Sequence, residues 1–319
     1  MMNKPLINLG LIGLGKMGQN HLRVLAMLRG VNISYIADEN HDLTNRLGKQ
    51  YSVEALSPKN ALDVAVDAIV IATPTVTHYE YVHLVSRRTK NIFVEKPMAH
   101  TLESSRNMAN LAKSEELNIQ IGFIERFNPA IIALKSILDC NDNVINLDFT
   151  RTNKISSRIT DVDVITDLMV HDIDLSLYLN GPATNVSAHG YAKGEMIDYA
   201  SALIKHQNGR FSRIQASRIS EKKKRSVEVT ATDMFIDCDL LRKEIIVYRN
   251  TETQDSSTAP YSITGIQEAI QVKPQEALVS ELQAFVNSVL SIKSQETPNV
   301  DESLSVMEVC ELIRNEIIS

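Results

Sequence analysis

The chain has 319 residues, 44% hydrophobic and 23% charged, with 33 Lys and Arg against 39 Asp and Glu for a formal net charge of −6. That is the composition of a globular protein long enough for two domains and a sizeable core. Its acidic balance argues against nucleic acid or an anionic membrane surface as the main partner. Cys140, Cys238 and Cys310 are odd in number and widely scattered, which speaks against a disulfide framework or a zinc site. No apolar run approaches the roughly 18 to 20 residues that span a bilayer, and no small-residue cleavage site follows the opening segment. A cytoplasmic protein is the expectation. An anionic small-molecule substrate stays open, because net charge does not reveal a local basic pocket.

Up to residue 122 short β-rich runs alternate with helical stretches. Strands are predicted at 6–13, 32–38, 68–74, 91–97 and 119–123, with helices at 17–29, 42–51, 77–88 and 101–117 between them. The strands read as continuous apolar runs, as strands covered on both faces should. Helices of this length between them imply right-handed crossovers and a doubly wound parallel sheet. The rhythm changes after 123. Helices are predicted at 128–138 and 164–180, and strands at 143–151, 183–192, 198–206, 210–220, 225–240 and 244–249, some joined by polar turns such as "HQNGR". Residues 250–272 read as loop, and helices near 275–293 and 301–317 follow. The expectation is an α/β domain over 1–122 and an α+β domain over 123–319 with a mostly antiparallel open sheet. The C-terminal helix is free in this reading to pack back on the first domain.

"GLGKMG", residues 13–18, follows the first strand and opens a helix, and Asp38 ends the second strand about 20 residues on. That context turns GxGxxG into a dinucleotide fingerprint and the first domain into a Rossmann fold. Gly13 makes the tight turn, Gly15 admits the pyrophosphate, and Gly18 lets helix and strand pack closely. Leu14, Lys16 and Met17 complete the loop beside the helix N-terminus, where free N–H groups favour an anion. Asp38 would accept from the adenosine ribose. With Glu39 beside it and no nearby Arg or Lys, a 2′-phosphate meets repulsion, so NAD is expected rather than NADP.

"FVEKPMA", residues 93–99, puts Lys96 at the carboxyl end of a strand, where doubly wound sheets bind ligands. The segment 164–181, "VITDLMVHDIDLSLYLNG", is apolar nearly all round as a helix, yet Asp167, His171, Asp174 and Tyr178 recur on one face. Three readings fit that stripe: a core histidine satisfied by a neighbouring Asp, a metal pair lacking the rest of its ligands, or groups doing chemistry.

These motifs come in a fixed order, with "ATPTVTH" closing the predicted strand 68–74, and the order resembles the Gfo/Idh/MocA (glucose–fructose oxidoreductase / inositol dehydrogenase) family over essentially the whole chain. The resemblance implies an NAD(P)-dependent dehydrogenase acting on CH–OH groups. By it, Lys96, Asp167 and His171 carry the chemistry, with His171 as general base. Thr73, Pro74 and His78 match the segment along the cofactor, and Glu95 the residue near the nicotinamide ribose. Asp174 and Tyr178 fall to supporting or interdomain hydrogen bonds.

"ERFNP", residues 125–129, together with the 164–181 segment is most similar to members acting on UDP-N-acetylglucosamine at its 3-hydroxyl. Such enzymes feed an aminotransferase in lipid A or polysaccharide synthesis. Arg126 is expected against an anionic group or a sugar oxygen. Asn128 is expected either at the substrate or as a helix N-cap, and an interdomain ion pair is the other reading of Arg126. Arg158 is expected as a further contact from the loop that also holds Arg151 and Lys154. Lys222, Lys223, Lys224 and Arg225 read as a solvated hairpin tip. The resemblance also implies a homodimer or homotetramer. Inositol or free-sugar oxidation, and a silent NAD-binding regulator, are the alternative functions.

Overall fold

The computed structural model describes residues 7–154, 162–194, 196–249, 265–292 and 297–318. By internal contacts the chain divides into two units, Met1–Phe127 with Glu276–Met307 and Asn128–Gln275 with Glu308–Ser319.

The first unit begins β1 (Ile7–Ile12), α1 (Lys16–Leu25), β2 (Val31–Ala37), α2 (His41–Tyr51), β3 (Glu54–Leu56) and α3 (Pro58–Ala61). It continues β4 (Ala68–Ile71), α4 (His78–Val85), β5 (Asn91–Glu95), α5 (Leu102–Ser114) and β6 (Asn118–Gly122). Its strands are parallel in the order β3-β2-β1-β4-β5-β6. This is the dinucleotide-binding order, and its switch point lies between β1 and β4. The central strands are mostly buried: Leu9, Leu11, Val70 and Phe93 are all 0% exposed, while Asn8 of β1 is exposed.

The second unit holds α6 (Pro129–Leu138), β7 (Val144–Thr152), a π-helical turn (Ile165–Met169) and α7 (Val170–Asn180). Then come β8 (Ala183–Lys193), β9 (Met196–His206), β10 (Phe211–Ser217), β11 (Lys224–Ala231), β12 (Met234–Asp239), β13 (Glu244–Arg249) and β14 (Ile266–Ile270). They form one sheet in the order β14-β13-β12-β11-β7-β10-β9-β8, antiparallel except where β10 meets β7. Two helices follow, α8 (Ala277–Val289) and α9 (Val300–Ile318).

Both sheets match the expected classes, and the departures have local causes. The boundary falls after Phe127 instead of 122, because the 3-10 turn Ile124–Phe127 packs on α8. Helix α8 itself belongs to the first unit: Leu278, Leu282, Phe285 and Val286 join Leu22, Leu25 and Phe93 in one apolar cluster. The run 225–240 is two strands, turned at Thr232 and Asp233 without a Gly or Pro to mark the break. β3 is only three residues long, and β14 is an exposed edge strand with Gln and Glu in it, so neither carried an apolar pattern.

Candidate active site

The turn after β1 is built by glycine's missing side chain. Gly13 has φ +95°, and a Cβ there would lie 2.5 Å from the Ala72 carbonyl carbon. A Cβ on Gly18 would lie 1.9 Å from the Gly13 carbonyl oxygen, so only glycine lets α1 approach β1 this closely. Gly15 differs: a Cβ there meets nothing within 4 Å. Gly15 caps α1 without a side-chain hydrogen bond, and no acidic residue occupies the first turn. Free N–H groups and an uncancelled helix dipole therefore face open space, which suits a pyrophosphate.

Asp38 closes the other side of that space. Its two oxygens accept the Leu14 N–H at 2.6 Å and the Asn40 N–H at 2.9 Å, which fixes the carboxylate and leaves lone pairs for ribose hydroxyls. A cavity of about 410 Å³ runs past Gly13, Gly15, Lys16, Met17, Asp38, Glu39, Thr73, Pro74 and Tyr81. Burial, then the charges of Glu39, Glu80 and Asp38, push the Tyr81 phenol upward, so it stays a neutral donor in an acidic wall. Leu14, though expected along this loop, is 0% exposed and offers backbone only. These residues fit a dinucleotide.

Thr73 and Pro74 follow β4, and their segment is tied down from beneath. Thr77 donates its hydroxyl to Thr73 Oγ1 at 2.9 Å. His78 is 1% exposed, with Nε2 3.0 Å from the Thr73 carbonyl oxygen and Nδ1 2.9 Å from that of Pro97. Its ring nitrogens are thus engaged by main-chain carbonyls, and burial pushes the imidazole below its usual value against those hydrogen bonds. His78 was expected along the cofactor; it fastens that segment to the Lys96 turn instead.

Lys96 is half-buried directly after β5. Glu95 before it is 9% exposed and bound at both oxygens: Oε1 lies 2.6 Å from His21 Nε2, and Oε2 accepts the Lys96 N–H at 3.1 Å. Burial alone would raise this carboxyl, but the His21 hydrogen bond and charge, then Lys96, hold it below the ordinary range. His21 escaped the sequence reading. The available signal was a polar residue on the apolar face of α1, three positions beyond Gly18.

The 164–181 segment corrects the expectation of one α-helix. Val170 N–H donates to the Ile165 carbonyl five residues back, so the segment starts as a π turn and becomes α only at Val170. One turn is therefore not 3.6 residues around Asp167, and the stripe is broken. Asp167, His171 and Tyr178 are half-buried, whereas Asp174 is 0% exposed. Tyr178 lies under Lys135 Nζ of α6, 5.0 Å from its ring centroid.

The helix is fixed along its whole length. At its start Asp163 accepts the Thr166 N–H at 2.9 Å and the Arg314 Nε–H at 3.0 Å, while Arg314 also donates to Thr166 Oγ1 at 2.8 Å. Arg218 donates to the Val162 carbonyl at 2.6 Å. In the middle, Arg151 of β7 makes a two-pronged ion pair with Asp172, Nε and Nη2 each 2.8 Å from a carboxylate oxygen, with side chains 2% and 3% exposed. At the end, His206 Nδ1 lies 2.7 Å from the Gly181 carbonyl, and its Nε2 is shared by Ser212 at 3.0 Å and Ser176 at 3.3 Å.

The remaining expected contacts fare differently. Arg151 was grouped with loop cations for the substrate, but it is a buried strand residue committed to Asp172. Arg126 is 2% exposed, with Nη1 2.6 Å from Glu302 inside the first unit, so the ion pair it makes is within one unit and not the expected interdomain one. Asn128 is 6% exposed; Oδ1 caps α6 through the Ala130 N–H at 3.1 Å and Nδ2 donates to the Leu240 carbonyl at 3.2 Å. Its N-cap reading is the one the geometry supports. Arg158 lies outside the described residues. The 220–226 run corrects the expected hairpin tip: Lys222 and Lys223 are exposed, but Lys224 and Arg225 are half-buried in β11, and β7 lies between β10 and β11, so their link is not a hairpin; Glu221 pairs with Lys154 at 2.9 Å. Among the described residues no three His, Cys, Asp or Glu gather as metal ligands, and no helix is long and apolar enough to cross a membrane.

Comparison with known proteins agrees with this geometry. Residues 7–123 match the description "Oxidoreductase family, NAD-binding Rossmann fold", and residues 146–236 match the "GFO/IDH/MocA C-terminal domain". A UDP-N-acetylglucosamine 3-dehydrogenase from Acidithiobacillus ferrooxidans is 28% identical over 283 residues, 88% of each chain. A crystal form of the enzyme of that name and organism aligns with TM-score 0.85 over 98% of both chains, at 25% identity. A scyllo-inositol 2-dehydrogenase (NAD(+)) from Bacillus subtilis is 26% identical over 94% of this chain and 91% of its own. At 17% identity, an oxidoreductase from Agrobacterium radiobacter solved with NAD+, L-tartaric acid and magnesium shares the fold, TM-score 0.83, over 98% of this chain and 96% of that one. With its glycine turn, its Lys96 strand end and both sheets accounted for, the chain belongs to the Gfo/Idh/MocA family of NAD-binding oxidoreductases and is an enzyme of that kind.

Proposed function

We propose that this protein is a dehydrogenase that oxidises a secondary hydroxyl of a sugar or nucleotide sugar to a ketone, with the 3-hydroxyl of UDP-N-acetylglucosamine as its target. One observation carries the reaction class: a half-buried lysine follows β5 in the same parallel sheet whose first strand ends in a glycine turn fit for a dinucleotide, in a chain that also holds a half-buried Asp167 and His171. The match over 88% of the chain to a UDP-N-acetylglucosamine 3-dehydrogenase supports the target.

NAD, when bound, takes up the hydride. His171 removes the hydroxyl proton, as an imidazole can near neutral pH. Lys96 donates to the same oxygen and stabilises its alkoxide character. Asp167 holds a neighbouring hydroxyl or orients the imidazole. Asp38 and Glu39 favour NAD over NADP by repelling a 2′-phosphate.

The second reading, an inositol or free-sugar dehydrogenase, is favoured by the scyllo-inositol enzyme that matches 94% of this chain. Further parts of the reading are a cytoplasmic setting, a homodimer or homotetramer, and an aminotransferase that consumes the ketone in lipid A or polysaccharide synthesis. The open sheet of the second unit, with Leu203 and Tyr191 50% and 57% exposed, supports self-association. A screen of NADH formation over UDP-sugars, free sugars and inositols tests the function. Turnover of UDP-N-acetylglucosamine with a 3-keto product is expected; turnover of inositols alone replaces the target, and NADH from none of them removes the proposal.

A further inference from the structure

Glu95, Lys96 and Pro97 form a turn in which each residue has a bound polar group. The Glu95 carboxylate holds the Lys96 N–H at 3.1 Å and meets His21 at 2.6 Å, and the Pro97 carbonyl meets His78 at 2.9 Å. His21 is 0% exposed and has no access to a ligand. Its ring is itself set edge-on to Phe93 at 5.3 Å, and Phe93 edge-on to Phe285 of α8 at 5.7 Å. A fully buried histidine against a nearly buried carboxylate is an expensive arrangement to maintain for packing alone. What it visibly does is hold one carboxylate in the orientation that binds the next residue's backbone.

We propose that His21 is a positioning residue for Lys96, acting through Glu95, while His78 steadies the far side of the same turn through the Pro97 carbonyl. This rests on the assignment of Lys96 to the reacting oxygen. Without His21, burial acts on Glu95 with fewer opposing influences. The carboxyl then takes up a proton or swings away. Either change releases the Lys96 N–H and removes a negative charge beside the lysine.

The test is competitive acylation of the full-length protein across pH, with modification of Lys96 read by mass spectrometry against the exposed Lys113 as internal reference. In His21→Leu, Lys96 should acylate about threefold faster or more at neutral pH, its profile displaced to lower pH. Glu95→Gln should do the same, and His21→Gln, which keeps an N–H near the carboxylate, should restore most of the wild-type profile. With substrate, His21→Leu should lower kcat by about 10² for a displacement near 1 Å, leaving KM for NAD within about twofold. A folded His21→Leu with the wild-type Lys96 profile overturns the inference. Should that variant not fold, the near-isosteric Glu95→Gln decides in its place, and an unchanged profile overturns it equally. Full turnover by Lys96→Met would instead remove the lysine from the proposed reaction, while the acylation profile still judges the link from His21.

Discussion

Lys96 stands at the end of a strand whose residues pair in register with β4 on one side and β6 on the other, while Asp167 and His171 stand where a helix changes its winding. The first location is set by sheet order. A residue at the carboxyl end of β5 can be nowhere else once β1, β4 and β5 have paired, and the side chains holding it are few. The second depends on side chains. A π turn is sparsely populated in proteins, and here charged residues from β7, from the segment after β10 and from α9 fasten its helix. Backbone topology can place a side chain cheaply at a strand end, whereas placing two on a helix surface requires a network that can be broken one residue at a time.

Breaking that network without touching the strand end is the sharpest test. Arg151→Met leaves Asp172 charged and buried, which should cost about 3–5 kcal/mol of stability. Denaturant titration should show the loss, and Arg151→Met with Asp172→Leu should recover most of it. A near-neutral single variant would mean that Asp172 is satisfied by other partners. His171→Ala should leave the fold intact and lower kcat by about 10²–10⁴ with NAD affinity unchanged; steady-state kinetics alongside NAD titration separates the two, and an unaltered kcat removes His171 as base. On the strand-end side, Asp38→Ala should weaken NAD and narrow the gap to NADP by about tenfold or more, one charge-assisted hydrogen-bond contact being worth about 1.5–3 kcal/mol. Equal cofactor preference in wild type and variant would place ribose reading elsewhere. Asn128→Ala should cost about 1 kcal/mol through its cap on α6, visible as a small shift in Tm, with no change in KM for the sugar. A large rise in KM would return Asn128 to the substrate.

A pH scan separates the scaffold further. Burial pushes His206 below its usual value, with its hydrogen bonds to the Gly181 and Pro182 carbonyls opposing it. The unfolded chain therefore binds this proton more readily than the folded one, and the stability from neutral His206 is lost as pH falls below about 6.5. His206→Gln should flatten that part of the Tm profile; an unchanged slope would assign the acid sensitivity to another group.

The same contrast explains what the sequence made legible. Gly13 and Gly18 stand out because no other residue meets their geometric demands, Gly15 completes the motif between them, and Asp38 and Lys96 follow from strand ends. The Arg151–Asp172 pair had no local mark. Asp172 follows His171 and lies two residues before Asp174, so nothing singles it out among its polar neighbours, and its partner, 21 positions away, is the last residue of a predicted strand with no local sign of burial. The π turn left no trace either, since 3.6-residue periodicity was assumed through 164–181. Arg126 and Asn128 were visible as polar residues at a domain junction, but burial decides their roles, and burial of a lone Arg cannot be read from its neighbours in the chain.

The position of α8 has a consequence for how the chain is made. Its Leu278, Leu282, Phe285 and Val286 complete the apolar cluster around Leu22, Leu25 and Phe93. On a ribosome, the sheet of residues 7–122 emerges long before the helix that covers this face. Until α8 has been made, the nascent domain therefore carries an uncapped apolar surface over α1. Domains generally fold as units in the order of synthesis; this one must wait for, or be shielded until, a segment that begins only at Ala277.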